Sequence, residues 1–218
     1  MVTRKEKRNR EKEANYFFEF LKIQKHFFKD LMNNLKKVAD HRHQSYITYG
    51  PEVLLFTMML KNMTGLKSMR NMSERFNKEE CIKNVGKVLG LDSLEELPHY
   101  DTINDFLSGL DVNELEKIRT YMIKELLKKR QGFNEQKNNR YNIEHANSQN
   151  YTAMKNHYLL VQITDIIRQL FEKGSSILKA LKKTAKEKSS NLLESFRTRI
   201  LTDEDFTHLS KPIQVRFT

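Results

Sequence analysis

Cysteine is almost absent: Cys81 stands alone. A lone thiol excludes an internal disulfide and a zinc site built from cysteine pairs. The charged N-terminus has no apolar core behind it and does not read as a secretion leader, so the expected location is cytoplasmic. Proline (3) and glycine (7) are scarce in 218 residues, which disfavours a turn-rich β fold and favours helices. No long apolar run is present. The longest, Val53 to Leu60, is interrupted by Thr57 and is far too short to cross a bilayer. Acid is in deficit: 28 Asp and Glu face 39 Lys and Arg, giving a net charge of +11. An excess of that size concentrates polyanions, so nucleic acid is the expected partner. An anionic membrane surface comes second, and a simple lysine bias is the bland alternative. Hydrophobic residues make up 38% and charged residues 31%, which describes a soluble, thin-cored protein with long solvated helical faces.

What is present reads as helix after helix. Residues 1–13 are nearly all charged and form a solvated arm. Ala14, Phe17, Phe18, Leu21, Phe28, Leu31, Met32 and Leu35 recur at helical spacing and predict one amphipathic helix with an aromatic stripe. Pro51 suits the first position of a new helix, and Val53 to Met63, apolar on most sides, is the expected central core helix. Shorter helices are expected over Ser68 to Phe76 and through Ile82, Val85, Val88 and Leu89, the latter closed by Gly90. Asp101 is the expected N-cap of a helix carrying Ile103, Phe106, Leu107 and Leu110, and Asp111 with Glu114 has capping-box spacing before Leu115, Ile118, Met122 and Leu126. Residues 131–142 are the clearest linker. Beyond it a long helix carries Met154, Tyr158, Val161 and Leu170 up to Gly174, and a further helix carries Leu178, Leu181, Leu192, Leu193 and Phe196. The tail, 211–218, reads as a short extended segment, and no series of alternating or β-branched runs describes a sheet.

Several residue groups invite a chemical reading. His41-Arg42-His43 has the look of a metal clip, but no third ligand is nearby and a surface role is preferred. His145 and His157 are lone histidines, for which packing or exposure is the default. Basic residues cluster at Arg4, Lys5 and Arg8, at Lys128, Lys129 and Arg130, and at Lys179, Lys182, Lys183 and Lys186. Each cluster suits phosphate contacts, and each equally suits a solvated helix face. The short helices of the N-terminal half are enough for a helix-turn-helix-like unit. Arg140-Tyr141-Asn142-Ile143-Glu144 places an acid beside an arginine ahead of a long helix; read from the residues alone, it is a helix-start acid favoured by the dipole.

Three stretches together resemble bacterial insertion-sequence transposases of the DDE type. They are Asp40-His41-Arg42 through Ile47-Thr48-Tyr49-Gly50-Pro51, then Leu97-Pro98-His99-Tyr100-Asp101-Thr102-Ile103 through Leu110, and Arg140-Tyr141-Asn142-Ile143-Glu144-His145 through Leu160. The resemblance implies an RNase-H-like sheet whose two aspartates and one glutamate hold two magnesium ions for phosphoryl transfer. It makes Glu144 the third acid and Arg140 a phosphate-contacting or glutamate-positioning residue. The sequence departs from the family where a tyrosine and a lysine are expected, at Lys137 and Tyr151. It departs further in having only about ten residues between the helix ending at Arg130 and Arg140, where the family carries most of its sheet and both aspartates. Strands are usually ~5 residues each plus turns, so that interval cannot hold them. An internal deletion is the expectation. Asp101 and Asp105, in a helix-start context, are poor replacements because two-metal chemistry needs acids fixed on a rigid scaffold.

The reading is therefore an all-α protein: a charged arm over 1–13, a helical and possibly DNA-binding region over 14–130, a polar junction over 131–142, and a helical remnant of a catalytic domain over 143–218. The expected activity is binding of transposon-end DNA without strand transfer. Glu144 is vestigial on this reading and no cofactor is expected for this chain, with magnesium belonging to the intact family. Expected partners are DNA and a second copy of the chain or an intact transposase, with neither a membrane nor a small-molecule substrate. The alternatives are a nuclease or transposase completed by another chain, and an interaction module whose aromatic stripe over residues 17–35 binds a partner helix.

Overall fold

The computed structural model describes residues 14–129, 150–174 and 176–210, with backbone alone at Tyr46 and Ser176. Among them are eleven α-helices, one 3-10 turn and no strand, so the chain is predominantly all-α as its composition suggested. We number the helices α1 Tyr16–Phe27, α2 Leu31–Lys36, α3 Pro51–Met63, α4 Met69–Phe76, α5 Glu79–Leu89, α6 Tyr100–Gly109, α7 Val112–Lys128, α8 Tyr151–Lys173, α9 Ser176–Ala180, α10 Ala185–Thr198 and α11 Asp203–Ser210.

Two helices form the centre. Along α3, Val53 to Leu60 are buried on every side, which is why that run lacks the polar face of a surface helix. Helix α8 packs against α1, α3, α6 and α7. Its inward face is Ala153, Asn156, Leu160, Ile163, Thr164, Ile167 and Phe171. Met154 and Tyr158, expected on the apolar stripe, instead face solvent at 42% and 37% exposure. Val161 and Leu170, expected on the same stripe, are buried at 2% each, so the expected set is right toward the C-terminal end of the helix and wrong in its first turns.

An aromatic cluster ties the C-terminal helices to the first one. The Phe17 and Phe196 rings lie 4.9 Å apart, Phe76 and Phe196 5.1 Å, and Phe20 and Phe171 6.5 Å in an edge-on pair. Burial of each such ring contributes roughly 2–3 kcal/mol. The expected aromatic stripe is thus consumed by the protein's own core, and Phe17, Phe20 and Phe28 cannot serve as a free docking face.

The sequence reading drew two helices too long. The segment expected to run as one helix through Leu35 breaks after Phe27. There the Phe28 N–H donates to the Gln24 carbonyl at 2.7 Å, the Gln24 side chain donates back to the Phe28 carbonyl at 2.8 Å, and the Asp30 N–H donates to the Tyr121 hydroxyl at 3.2 Å. Side chains of α1 and α7 satisfy the orphaned backbone, so the turn costs little. The lysine-rich helix beyond Gly174 also breaks, into α9 and α10. Lys182 adopts φ 50°, and Thr184 starts α10 in a reciprocal capping box with Glu187.

Caps explain most other boundaries. Pro51 opens α3, and Gly90, at φ 68°, closes α5 in the left-handed conformation that glycine adopts without strain. Asp111 caps α7, but its carboxylate accepts from Asn113, and Glu114 turns away to accept the Ala39 N–H at 3.2 Å, so the box is not reciprocal. Asp101 is not a cap. His99 is, its Nδ1 accepting from the Asp101 N–H at 3.5 Å, and Asp101 falls in the first turn.

Candidate nucleic-acid interface

Of the cations singled out in the sequence, Lys128 and Lys129 stand at the end of α7. The Lys129 ammonium donates to the His26 carbonyl at 2.8 Å and lies 5.6 Å from the centre of the Phe27 ring, while Lys128 pairs with Glu125 at 2.7 Å. The contact to His26 sets the C-terminal ends of α1 and α7 side by side and gathers exposed Lys25 and Lys29 beside Lys128 and Lys129. Helix C-termini attract cations through their exposed carbonyls, so part of this clustering stabilises the fold itself.

The second group frames the α9–α10 break. Lys179, Lys182 and Lys186 are exposed, and Lys183 is partly buried with its ammonium 3.7 Å from Glu187. Lys188, from the same run, is buried and donates to the Glu172 carbonyl at the end of α8. The break therefore spreads the lysines around a turn and a helix start instead of along one helix face.

Arg4, Lys5, Arg8, Arg130, Arg140, Glu144 and His145 lie outside the described residues, as do the linker 131–142 and the tail 211–218. Asp101 is an exposed first-turn residue 3.3 Å from His99, and Asp105 is exposed on the same helix. Among the described residues no group of three or more His, Cys, Asp or Glu side chains can hold a metal ion. The donors among the described residues do not fit the two-magnesium centre of the DDE type.

The structure does bring together two of the segments that carried the resemblance. Arg42 grips Asp40 with two hydrogen bonds, of 2.9 and 2.6 Å, donates to the Tyr49 carbonyl at 2.7 Å, and stacks 5.1 Å from the Phe106 ring of α6. Burial opposes ionisation of Asp40, but Arg42 outweighs it and holds the carboxyl below its ordinary value. His41 stacks on the same ring at 6.0 Å and comes so close to Gly109 that a Cβ there would sit 2.2 Å from its Nε2. His43 accepts from the Ser45 N–H at 3.3 Å and shapes the short turn that follows. The histidine pair is thus tied up in packing and capping.

Sequence reasoning passed over three buried polar residues. Lys61 and Asn62 sit at the end of the otherwise apolar α3, only 3% and 4% exposed. The Lys61 ammonium is pushed down to about 8 by burial. Burial, and after it the Lys61 charge, depress His157 to about 4. Arg168 of α8 is buried between Asp165 and Glu172, each at 2.5 Å. The only signal was a polar pair inside an apolar run, and an Asp-Arg-Glu series at helical spacing.

Residues 32–122, less than half of the 218-residue chain, match the model of the family described as DDE_Tnp_1-associated, which supports a relationship to the DDE-type transposases. The matched span runs from α2 into α7 and contains the Arg42 and Phe106 contact, whereas the Arg140–Glu144 segment lies beyond it. No curated protein and no solved structure matches the chain significantly. No described helix is long and apolar enough to cross a membrane.

Proposed function

We propose that this protein binds DNA as a relative of DDE-type transposases and does not by itself carry out strand transfer. The match over residues 32–122 carries the reading. The net charge of +11 and the exposed lysines of the α1–α7 and α9–α10 clusters support DNA as partner. The inactivity rests on two features. The described residues hold no strand, and the roughly ten residues between Arg130 and Arg140 are too few for several strands. On this reading the chain descends from a longer transposase by internal deletion. Glu144 and Arg140 record that ancestry, and the protein competes with an intact relative for its DNA ends.

The test is binding of a labelled duplex, followed by fluorescence anisotropy over a range of salt, together with a magnesium-dependent cleavage assay. Binding should weaken steadily as salt rises, and the duplex should remain intact. No rise in anisotropy at low salt would overturn the DNA reading. Cleavage that disappears in Glu144→Gln would overturn the inactivity and favour an enzyme completed by a second copy of the chain.

A further inference from the structure

A cavity of about 480 Å³ lies where three helix ends meet: the C-terminal end of α3, the C-terminal end of α8 and the N-terminal end of α10. Asn62, Gly65, Arg168, Lys186, Ser189 and Ser190 are among its lining residues. Three features give it a chemistry. Ala185 and Lys186, in the first turn of the 14-residue α10, line the cavity, which puts the positive end of that helix dipole beside it. The hydroxyls of Ser189 and Ser190 and the ammonium of Lys186 come from the same first two turns of α10. Independently of that helix, Asn62 contributes a carboxamide only 4% exposed whose Nδ2 makes no hydrogen bond. A buried amide donor left unpaired is costly, so a lining that keeps one is suited to a ligand rich in acceptors.

Charge around the cavity agrees. Lys186 lines the cavity, and Lys179, Lys182 and Lys183 lie in the α9–α10 segment that precedes it in the chain. Glu172 lines the cavity, but its carboxylate is engaged by Arg168, and Glu187 is occupied by the Thr184 cap. Among the lining side chains the charge surplus is positive, with Arg168 and Lys186 against Glu172, and it offsets the carbonyl groups that the C-terminal ends of α3 and α8 present.

We propose that this cavity is a phosphate-binding site and that its ligand is a phosphodiester group of a nucleic-acid backbone. The choice of phosphodiester rests on the DNA-binding reading above; the phosphate chemistry rests on the cavity alone. Asn62 and the serine hydroxyls donate to the non-bridging oxygens, the α10 N-terminus holds the charge, and Lys186 closes over the group from outside.

Two measurements on the full chain test this. In the first, inorganic phosphate is titrated and followed by amide chemical shifts. Shifts concentrated on Gly65, Lys186, Ser189 and Ser190 are expected, and shifts spread over all surface lysines, or none, would overturn the phosphate site. In the second, duplex binding is compared among the parent protein, Lys186→Gln, Ser189→Asp, and Lys36→Gln on the distant α2 as control. Lys186→Gln should weaken binding several-fold and lower the salt slope by about one. Ser189→Asp, which sets a carboxylate in the cavity, should weaken it about tenfold or more, while Lys36→Gln stays near the parent. Equal affinity and slope in all four proteins would overturn the phosphodiester assignment and leave the DNA reading standing. Phosphate-induced shifts in a chain that binds no duplex would keep the anion site and overturn both the DNA reading and the phosphodiester ligand. Asn62→Leu, similar in size and lacking the donor, should lose the phosphate shifts while keeping the helical circular dichroism of the parent.

Discussion

The Tyr49 hydroxyl donates a 2.7 Å hydrogen bond to the Glu96 carboxylate, joining the segment before α3 to the segment before α6. Burial of Tyr49 and the neighbouring Glu96 charge both hold the phenol in its protonated, donating form, well above its ordinary pKa. Together with Arg42 lying over Phe106, this bond fixes the N-terminal part of the family-matched region. These contacts belong to the architecture of residues 32–122, and their loss should appear as instability.

Arg42→Ala should therefore destabilise the protein by about 2–3 kcal/mol, through loss of a two-bond carboxylate pair, a carbonyl bond and a ring contact. Arg42→Lys should recover less than half of that, because an ammonium cannot reproduce the planar fork. Urea titration monitored by circular dichroism decides it. A lysine variant as stable as the parent would show that charge alone matters here.

Asn84 and Asn156 each close a helix end from another helix. The Asn84 side chain donates to the Phe196 and Arg199 carbonyls at 3.2 and 2.7 Å and accepts the Leu201 N–H at 2.9 Å. Asn156 donates to the Leu107 and Leu110 carbonyls at 2.9 and 2.7 Å. Both are fully buried, so their removal leaves backbone groups unpaired away from water. Asn84→Leu should cost on the order of 3 kcal/mol, lowering the melting temperature by about 10 °C, and Asn156→Leu somewhat less. Thermal melts within 2 °C of the parent (roughly 0.5 kcal/mol) would mean that water replaces these bonds.

These asparagines also mark the limit of what the sequence discloses. Local signals worked where the cause was local: Pro51 starting a helix, Gly90 ending one, an apolar run dense enough to be buried all round. They failed where a distant residue decided. The break after Phe27 depends on Tyr121, and the face α8 buries depends on α3 and α6. His99 displaced Asp101 as a cap because the helix starts earlier, at Tyr100, where the imidazole accepts the Asp101 N–H. The lysine clusters were legible as composition, but the cavity beside α10 was not, since Asn62, Arg168 and Ser189 are far apart in the chain and none forms a motif with its neighbours. The catalytic-looking pair, Arg140 and Glu144, lies outside the described residues, and its ancestry rests on the resemblance.

The only thiol is a ready probe of global stability. Cys81 is fully buried, its Sγ lies 3.6 Å from the Phe196 carbonyl, and burial pushes its pKa up to about 12. The reactive thiolate is scarce at pH 8 and has no path to solvent. Alkylation by iodoacetamide should be at least about a hundredfold slower than in denaturant, and urea should accelerate it in parallel with the loss of helical signal. Rapid labelling of the native protein would show that α5 and α10 separate locally before the rest unfolds.

Lys61 and His157 should shape the pH dependence of stability at opposite ends of the scale. Lys61 is only 3% exposed, and its folded value of about 8 lies below the ordinary 10.5. Between those two values the unfolded chain holds a proton that the folded chain has released, so stability rises as pH rises from about 8 to 10.5, and below 8 the whole penalty of a buried ammonium is present. His157 is depressed from 6.5 to about 4, so stability falls as pH drops through that interval, because only the unfolded chain readily takes up the proton. Lys61→Met keeps the length and removes the charge. It should stabilise the protein at pH 7 by up to about 3 kcal/mol and abolish the alkaline rise. Part of the depression of His157 comes from the Lys61 charge, so the same substitution should also raise the folded value of His157 and shrink the acid limb, with less stability lost below pH 6.5. Urea midpoints measured from pH 4 to 10 for the parent, Lys61→Met and His157→Gln separate the contributions. A Lys61→Met protein with the parent's alkaline profile would mean that the ammonium already reaches water in the folded state.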